Sequence, residues 1–269
     1  MEAAVPGDDA GFSEQFDEPM LHPRWAWFCE PPGWSIDTAE GCLRLETAAG
    51  TDFWQRTHYG FQADDGHFLH TPLAGDWVLS VQVRFEPVHQ YDQAGLMVRL
   101  SPDCWLKTSV EYEPSGPARL GAVVTNAGYS DWSTQDFPAD RRELRLRIRR
   151  EANDYLVEWS NDALRWSQLR VARLLEDDGR GAAVRASGGI SQVTANRPRK
   201  GLAQNPGSST NRPPIHWRLS PSVTTKATTR SPCRRGRGFS GRGRAGNATG
   251  RWRSAERVSD QSAGMTEIG

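Results

Sequence analysis

Residues Tyr91–Trp132 read YDQAGLMVRLSPDCWLKTSVEYEPSGPARLGAVVTNAGYSDW, and the fold is decided by their spacing. Leu96, Val98 and Leu100 alternate with Met97 and Arg99; Leu106, Thr108, Val110 and Tyr112 alternate with Trp105, Lys107, Ser109 and Glu111. A period of two belongs to strands that bury one face. Ser101-Pro102-Asp103 and Pro114-Ser115-Gly116-Pro117 interrupt the runs. Proline fixes φ and glycine reaches φ > 0, so both interruptions are tight reversals. The stretch predicts an antiparallel meander of three strands.

The same pattern continues on both sides. Upstream, Trp77, Leu79, Val81, Val83 and Phe85 share one face of a strand while Val78, Ser80, Gln82 and Arg84 share the other. Downstream, Leu144, Leu146 and Ile148 alternate with Arg145, Arg147 and Arg149, and Asn153-Asp154 turns the chain into Tyr155, Val157 and Trp159. Asn161-Asp162 turns it again into a run from Leu164 to Val171. The arginine row reads as a solvated outer face, with a binding stripe as its alternative. Near the start, Pro19, Pro23, Pro31 and Pro32 forbid a long helix among Trp25, Trp27 and Trp34. A short strand runs from Cys42 to Thr47. No helix beyond two turns is predicted in residues 1–180, and eight or more short strands make an all-β two-sheet antiparallel sandwich or jelly roll.

Length and composition set bounds. The chain has 269 residues with 33 basic and 33 acidic side chains. Residues 182–269 hold 16 of the basic and 3 of the acidic ones, a net of +13, which leaves −13 for residues 1–181. Cys29, Cys42, Cys104 and Cys233 form no CxxC pair, which argues against a zinc site or a disulfide framework and suits a reducing, cytoplasmic setting. No apolar run reaches the roughly 20 residues that span a bilayer, so no membrane association is expected. His67 and His70 have the separation of a helical ligand pair, but in a strand such residues point to opposite faces. No metal and no cofactor is therefore assigned.

With these residues in view, the chain resembles the concanavalin A-like lectin/glucanase superfamily of β jelly rolls. More narrowly, it is similar to the bacterial and fungal family of domains of unknown function that includes the yeast regulation-of-enolase protein. The resemblance is carried by TDFWQRTHYGF at residues 51–61, FEPVHQYDQAGLMVR at 85–99, WLKTSVEY at 105–112 and VVTNAGYSDWST at 123–134. The opening FDEPMLHPRWAWF, followed by GWSI and CLRLE, also resembles the C-terminal sandwich domains of bacterial β-xylosidases. The resemblance covers residues 12–180. It implies one concanavalin A-like domain at residues 12–181, after a flexible N-terminus at 1–11.

The family pattern stops near Arg185, and no alternating apolar run follows. Residues 182–269 are rich in Arg, Gly, Ser, Thr and Pro, a composition that buries too little apolar surface to offset chain entropy, so a disordered tail is expected. Two readings of it stand. One is an Arg-Gly segment, with GRGFSGRGRAGNATGRWR at 236–253, that binds RNA through charge and stacking. The other is the product of a reading-frame slip near Ala186, which would leave the sheet one strand short.

Chemistry is harder to read. Glycosidases of the superfamily carry ExDxE or ExDxxE on one strand, and neither string occurs. Glu111 and Glu113 are the nearest catalytic candidates, since two residues along a strand span about 6.6 Å and retaining glycosidases need carboxylates about 5 Å apart. A binding site draws on more residues. Trp105, Lys107 and Glu111 share a strand face opposite the core, Asn126, Tyr129, Asp131 and Trp132 follow the next strand, and Tyr91, Asp92 and Gln93 precede the first. Aromatic platforms beside hydrogen-bonding groups recognise carbohydrate, so a non-catalytic carbohydrate-binding module is the expectation. A glycoside hydrolase and a regulatory protein-binding module are its alternatives.

Overall fold

A computed structural model describes residues 12–178, 186–193, 218–219 and 222–225. All of these fall in one compact unit, residues 1–229, and no helix occurs among them. The first sheet has seven strands in the order Tyr129–Phe137, Ala118–Asn126, Cys104–Glu111, Gln93–Ser101, Ala186–Val193, His67–Leu73 and Ala26–Phe28. The second is ordered Phe12–Ser13, Ser222–Thr225, Trp77–Arg84, Glu143–Glu151, Asp154–Ser160 and Ser167–Arg173, with Arg218–Leu219 also paired to Trp77–Arg84. Two small hairpins, Gly33–Asp37 with Cys42–Glu46 and Phe53–Gln55 with Gln62–Asp64, complete the described strands.

Alternation dictates the layers. Leu79, Val81 and Val83 lie opposite Ile148, Leu146 and Leu144 across one strand pair, and all six are at most 2% exposed. They meet Ala94, Leu96, Val98, Leu106, Val110, Leu120, Ala122 and Val124 of the first sheet in a single apolar cluster. Burying each large aliphatic side chain contributes about 1.5–3 kcal/mol, which fixes the strand phase, because a slip by one residue would expose the whole set. On the outer face of the second sheet, Arg147 and Arg149 converge on Glu158 at 2.8 and 3.1 Å, and Arg145 lies 3.6 Å from Glu143. The arginine row is thus an ion-paired outer face. Beside it, Arg150 donates to Asp177 through Nε and Nη2 at 2.7 Å, and the Tyr155 hydroxyl donates to the same carboxylate at 2.5 Å. This buried triad ties residues 174–178 to the second sheet.

The sequence reading closed the sandwich at residue 181 and placed a break near Ala186. Ala186–Val193 is instead an inner strand of the first sheet, paired to both His67–Leu73 and Gln93–Ser101. Its sequence, ASGGISQV, carries no apolar alternation, so its place in the sheet is seen only in its pairing. Arg218–Leu219 and Ser222–Thr225 also fall beyond the expected boundary. Residues 1–11 and the Arg-Gly segment at 236–253 lie outside the described residues.

Candidate functional site

Strand Cys104–Glu111 points Leu106, Thr108 and Val110 into the core and Trp105, Lys107, Ser109 and Glu111 to the other face of the first sheet. Residues directly opposite across antiparallel strands share a face, so the register extends this column into rows. Glu111 lies between Gln93 and Arg119, Ser109 between Gly95 and Gly121, Lys107 between Met97 and Val123, and Trp105 between Arg99 and Thr125. On the next strand, Asp136, Thr134, Trp132 and Ser130 continue the four rows.

Segment 52–66 covers half of this face. It crosses from Lys107, whose Nζ donates to Asp52 Oδ1 and to the Phe53 carbonyl at 3.3 Å each, to Ser130, whose Oγ accepts the Gln55 amide at 2.9 Å. Asp52 is held further by the Phe53 amide at 2.7 Å. Beneath the segment, Phe53, Trp54, Phe68, Met97, Trp105 and Val123 form a second apolar cluster, separate from the main core. The Lys107–Asp52 pair seals it, with side chains only 4% and 6% exposed. An ion pair so deeply buried holds the cover in one position, because moving either partner strands the other charge.

The uncovered half is a shallow depression open to solvent. Asp52, Trp54, Gln93, Lys107, Ser109, Glu111, Arg119, Gly121, Val123 and Trp132 line it. Its floor is flat because the Ser109 row is glycine on both sides. A Cβ at Gly95 would lie 1.8 Å from the Thr108 carbonyl oxygen, and one at Gly121 would lie 2.2 Å from that of Ser133. Larger residues at either position would force the backbone apart. Along the floor, Ser109 Oγ donates to Gln93 Oε1 at 3.0 Å and Gln93 Nε2 donates to Glu111 Oε2 at 3.2 Å. Arg119 is paired with Asp136 across the edge strand. Two cations and two carboxylates in the lining balance, so the cleft combines the half-buried Trp132 indole, backed by the buried Trp54, with a neutral hydrogen-bonding floor.

Of the residues singled out from sequence, Gln93, Lys107, Glu111 and Trp132 line this cleft together. Trp105 does not; it is fully buried beneath Phe53, with ring centroids 6.2 Å apart. The expected open platform is lost there because segment 52–66 occupies it. Asp92 is 1% exposed, and its Oδ2 accepts the Val88 and His89 amides at 2.9 Å, shaping the turn that precedes the strand. Tyr91 sits in the same turn at φ 70° and is buried. Asn126 joins the sheets: its Oδ1 accepts the Leu175 amide at 2.8 Å and its Nδ2 donates to the Arg173 carbonyl at 3.0 Å. Asp131 pairs with Arg170 at 3.1 Å. Tyr129 is 61% exposed and carries the Arg56 guanidinium 5.6 Å from its ring centre.

Glu113 lies beyond the end of its strand and accepts from Gln90 at 2.8 Å, outside the cleft lining. Of the two catalytic candidates, Glu111 lines the cleft and Glu113 does not. Both ring nitrogens of His67 meet backbone groups, the Ala48 amide at 2.9 Å and the Cys29 carbonyl at 2.6 Å. His70 stacks on Phe68, and burial followed by the nearby Arg99 charge pushes its pKa down.

Sequence reasoning missed Asp52, Trp54, Arg119, Gly121 and Val123. The last three carry a readable signal: they alternate in Ala118–Asn126 in phase with the outward residues of the strand before it. Asp52 and Trp54 carry none, because 55 residues separate Asp52 from Lys107.

Comparison with known proteins follows from this geometry. A family model described as a protein of unknown function, DUF1349, matches residues 27–190. Regulation of enolase protein 1 of Saccharomyces cerevisiae is 38% identical over 146 residues, 54% of this chain and 72% of that protein. The crystal structure of a functionally unknown protein from Saccharomyces cerevisiae superposes with a TM-score of 0.56 at 29% identity, covering 74% of this chain and 92% of that one. A xylan β-1,4-xylosidase from Bacillus halodurans C-125 gives a TM-score of 0.57 at 14% identity, over 82% of this chain and 40% of the enzyme. That likeness is one of fold.

Proposed function

The chain belongs to the DUF1349 family of proteins of unknown function, and from that premise we propose that it is a non-catalytic carbohydrate-binding domain whose ligand lies in the cleft of the first sheet. The observation that carries this reading is the lining itself: the half-buried indole of Trp132, backed by the buried Trp54, stands beside the flat Gly95-Ser109-Gly121 row, flanked by Gln93, Glu111 and Arg119. A sugar ring offers an apolar face for an indole and hydroxyls for amide, carboxylate and guanidinium groups, all of which are present within one depression. Balanced charge favours a neutral ligand over a polyanion. Binding is favoured over hydrolysis because Asp52 is committed to Lys107 and the Phe53 amide, and Glu113 stands outside the lining.

The test is calorimetric titration of the full chain with a panel of neutral glycans that includes xylo-oligosaccharides. Binding of at least one glycan is expected, with affinity reduced about tenfold or more by Trp132→Ala, a loss of about 1.4 kcal/mol, while circular dichroism shows the variant still folded at the titration temperature. Absence of binding across the panel, or full affinity in Trp132→Ala, would refute the reading. Release of reducing ends during incubation would assign an enzyme instead.

A further inference from the structure

The aromatic wall of the cleft does not end at Trp54. The Tyr59 ring meets Trp54 edge-on with centroids 5.2 Å apart, Phe61 lies 6.5 Å from Trp54 and 6.3 Å from Tyr59, and His58 packs edge-on to Tyr59 at 4.8 Å. Tyr59 and Phe61 are only half-buried and His58 is exposed. Tyr59, Phe61 and Trp132 thus pack around the buried cluster that holds Trp54, which links the cleft to the tip of the Phe53–Asp64 hairpin.

The backbone at this tip is costly. Arg56 has φ 53°, His58 φ 62° and Gly60 φ 67°, so two non-glycine residues take the left-handed region within five positions. Each such residue costs on the order of 1–3 kcal/mol and persists only where its surroundings hold it. Here the hold is explicit. Trp54 Nε1 donates to the Thr57 carbonyl at 2.9 Å, the Arg56 amide donates to the Phe61 carbonyl at 3.2 Å, and Arg56 Nη1 donates to the Gly128 carbonyl at 2.8 Å. The result is a fixed presentation of rings outside the main core: Tyr59 and Phe61 lean on the second cluster with one side and keep the other in solvent, and His58 belongs to neither cluster.

We infer that His58, Tyr59 and Phe61 form a second sugar subsite, so that the ligand is an oligosaccharide chain rather than a monosaccharide; this rests on the carbohydrate reading of the cleft. One unit lies on the Ser109 floor against Trp132. The next units pass over Tyr59 and Phe61. The strain at Arg56 and His58 is retained because it orders this surface before the ligand arrives, which lowers the entropic cost of binding.

The test is affinity as a function of chain length, measured on the full chain with the series from xylose to xylohexaose and a parallel series from glucose to cellohexaose. Affinity is expected to rise beyond the monosaccharide, and Tyr59→Ala to lower affinity for the longest bound oligomer about tenfold while leaving the shortest bound sugar unaffected. Tyr59→Phe restores the long-chain affinity if ring stacking is the cause. His58→Ala, at an exposed position, repeats the length-selective loss should Tyr59→Ala destabilise the hairpin. Equal affinity at every length, or long-chain binding insensitive to both variants, overturns the second subsite and leaves the cleft standing. No binding by either series overturns both.

Discussion

Replacing Lys107 with Met isolates the contact that shapes the site. The Nζ atom lies 3.3 Å from Asp52 Oδ1, and the two side chains are 4% and 6% exposed. At that separation and an effective dielectric near 20, the attraction is about 5 kcal/mol. Methionine fills nearly the same volume, so the substitution removes charge without opening a large void. What it leaves is a buried Asp52 carboxylate without its cation and a Phe53 carbonyl without its donor. Breaking one side of a buried pair costs about 3–5 kcal/mol. For a domain of this size each kcal/mol lowers the melting temperature by about 2–4 °C, so Lys107→Met is expected to melt about 6–20 °C below the parent. The double variant Asp52→Asn with Lys107→Met removes both charges and recovers about 1–3 kcal/mol of the loss, the usual size of coupling between contacting residues. Urea denaturation followed by circular dichroism and by tryptophan fluorescence reads both numbers. A loss below about 1 kcal/mol in Lys107→Met, the range of an exposed pair, would refute the claim that this ion pair locks segment 52–66 onto the sheet.

Three further outcomes follow from other parts of the molecule. Trp105→Ala, at a fully buried position, is expected to cost about 3–5 kcal/mol in urea denaturation; a variant of parent stability would place Trp105 at an open surface after all. Burial, and next the hydrogen bond to Asp177, raise the Tyr155 pKa well above its usual 10. The unfolded chain therefore releases that proton first, and stability should fall as pH rises above about 10, by up to about 1.4 kcal/mol per pH unit. Tyr155→Phe should remove that component from the alkaline limb of the stability curve; identical slopes in the two proteins would contradict it. Gly121→Val places a side chain 2.2 Å from the Ser133 carbonyl, so it should abolish glycan binding and lower the melting temperature; binding at parental affinity would show that the flat floor is not needed.

The fold was legible because alternation is a local signal. Leu79-Val81-Val83, Leu144-Leu146-Ile148 and Leu106-Val110 each announce a buried face within one strand, and the structure packs all three into one core. The outward set of Lys107, Ser109 and Glu111 was legible for the same reason, being the complement of that face. What covers the face was not. Segment 52–66 reads only as an aromatic, polar stretch with a turn at Asp64-Asp65-Gly66, and nothing local to it marks Asp52 as the partner of Lys107. That is why Trp105 could be taken for a platform: strand phase tells which face a side chain occupies, but not whether a distant hairpin lies over it. Ala186–Val193 was missed because ASGGISQV holds a single large apolar residue before its final Val, too little for a period of two to be read. Asp92 and Asn126 illustrate a third limit. Short polar residues at strand ends bind ligands or satisfy backbone amides equally well, and here they do the latter.

The most direct test of the account follows the indole N–H signals of Trp54 and Trp132 by nuclear magnetic resonance as xylohexaose and cellohexaose are added to the full chain. The Trp132 signal is expected to shift with saturating dependence on one of these glycans, the buried Trp54 beside it to shift less, and the Trp105 and Trp77 signals to stay in place. Shifts confined to indoles outside the cleft, or none with either glycan at millimolar concentration, would contradict the assignment of the Gly95-Ser109-Gly121 floor as a sugar site.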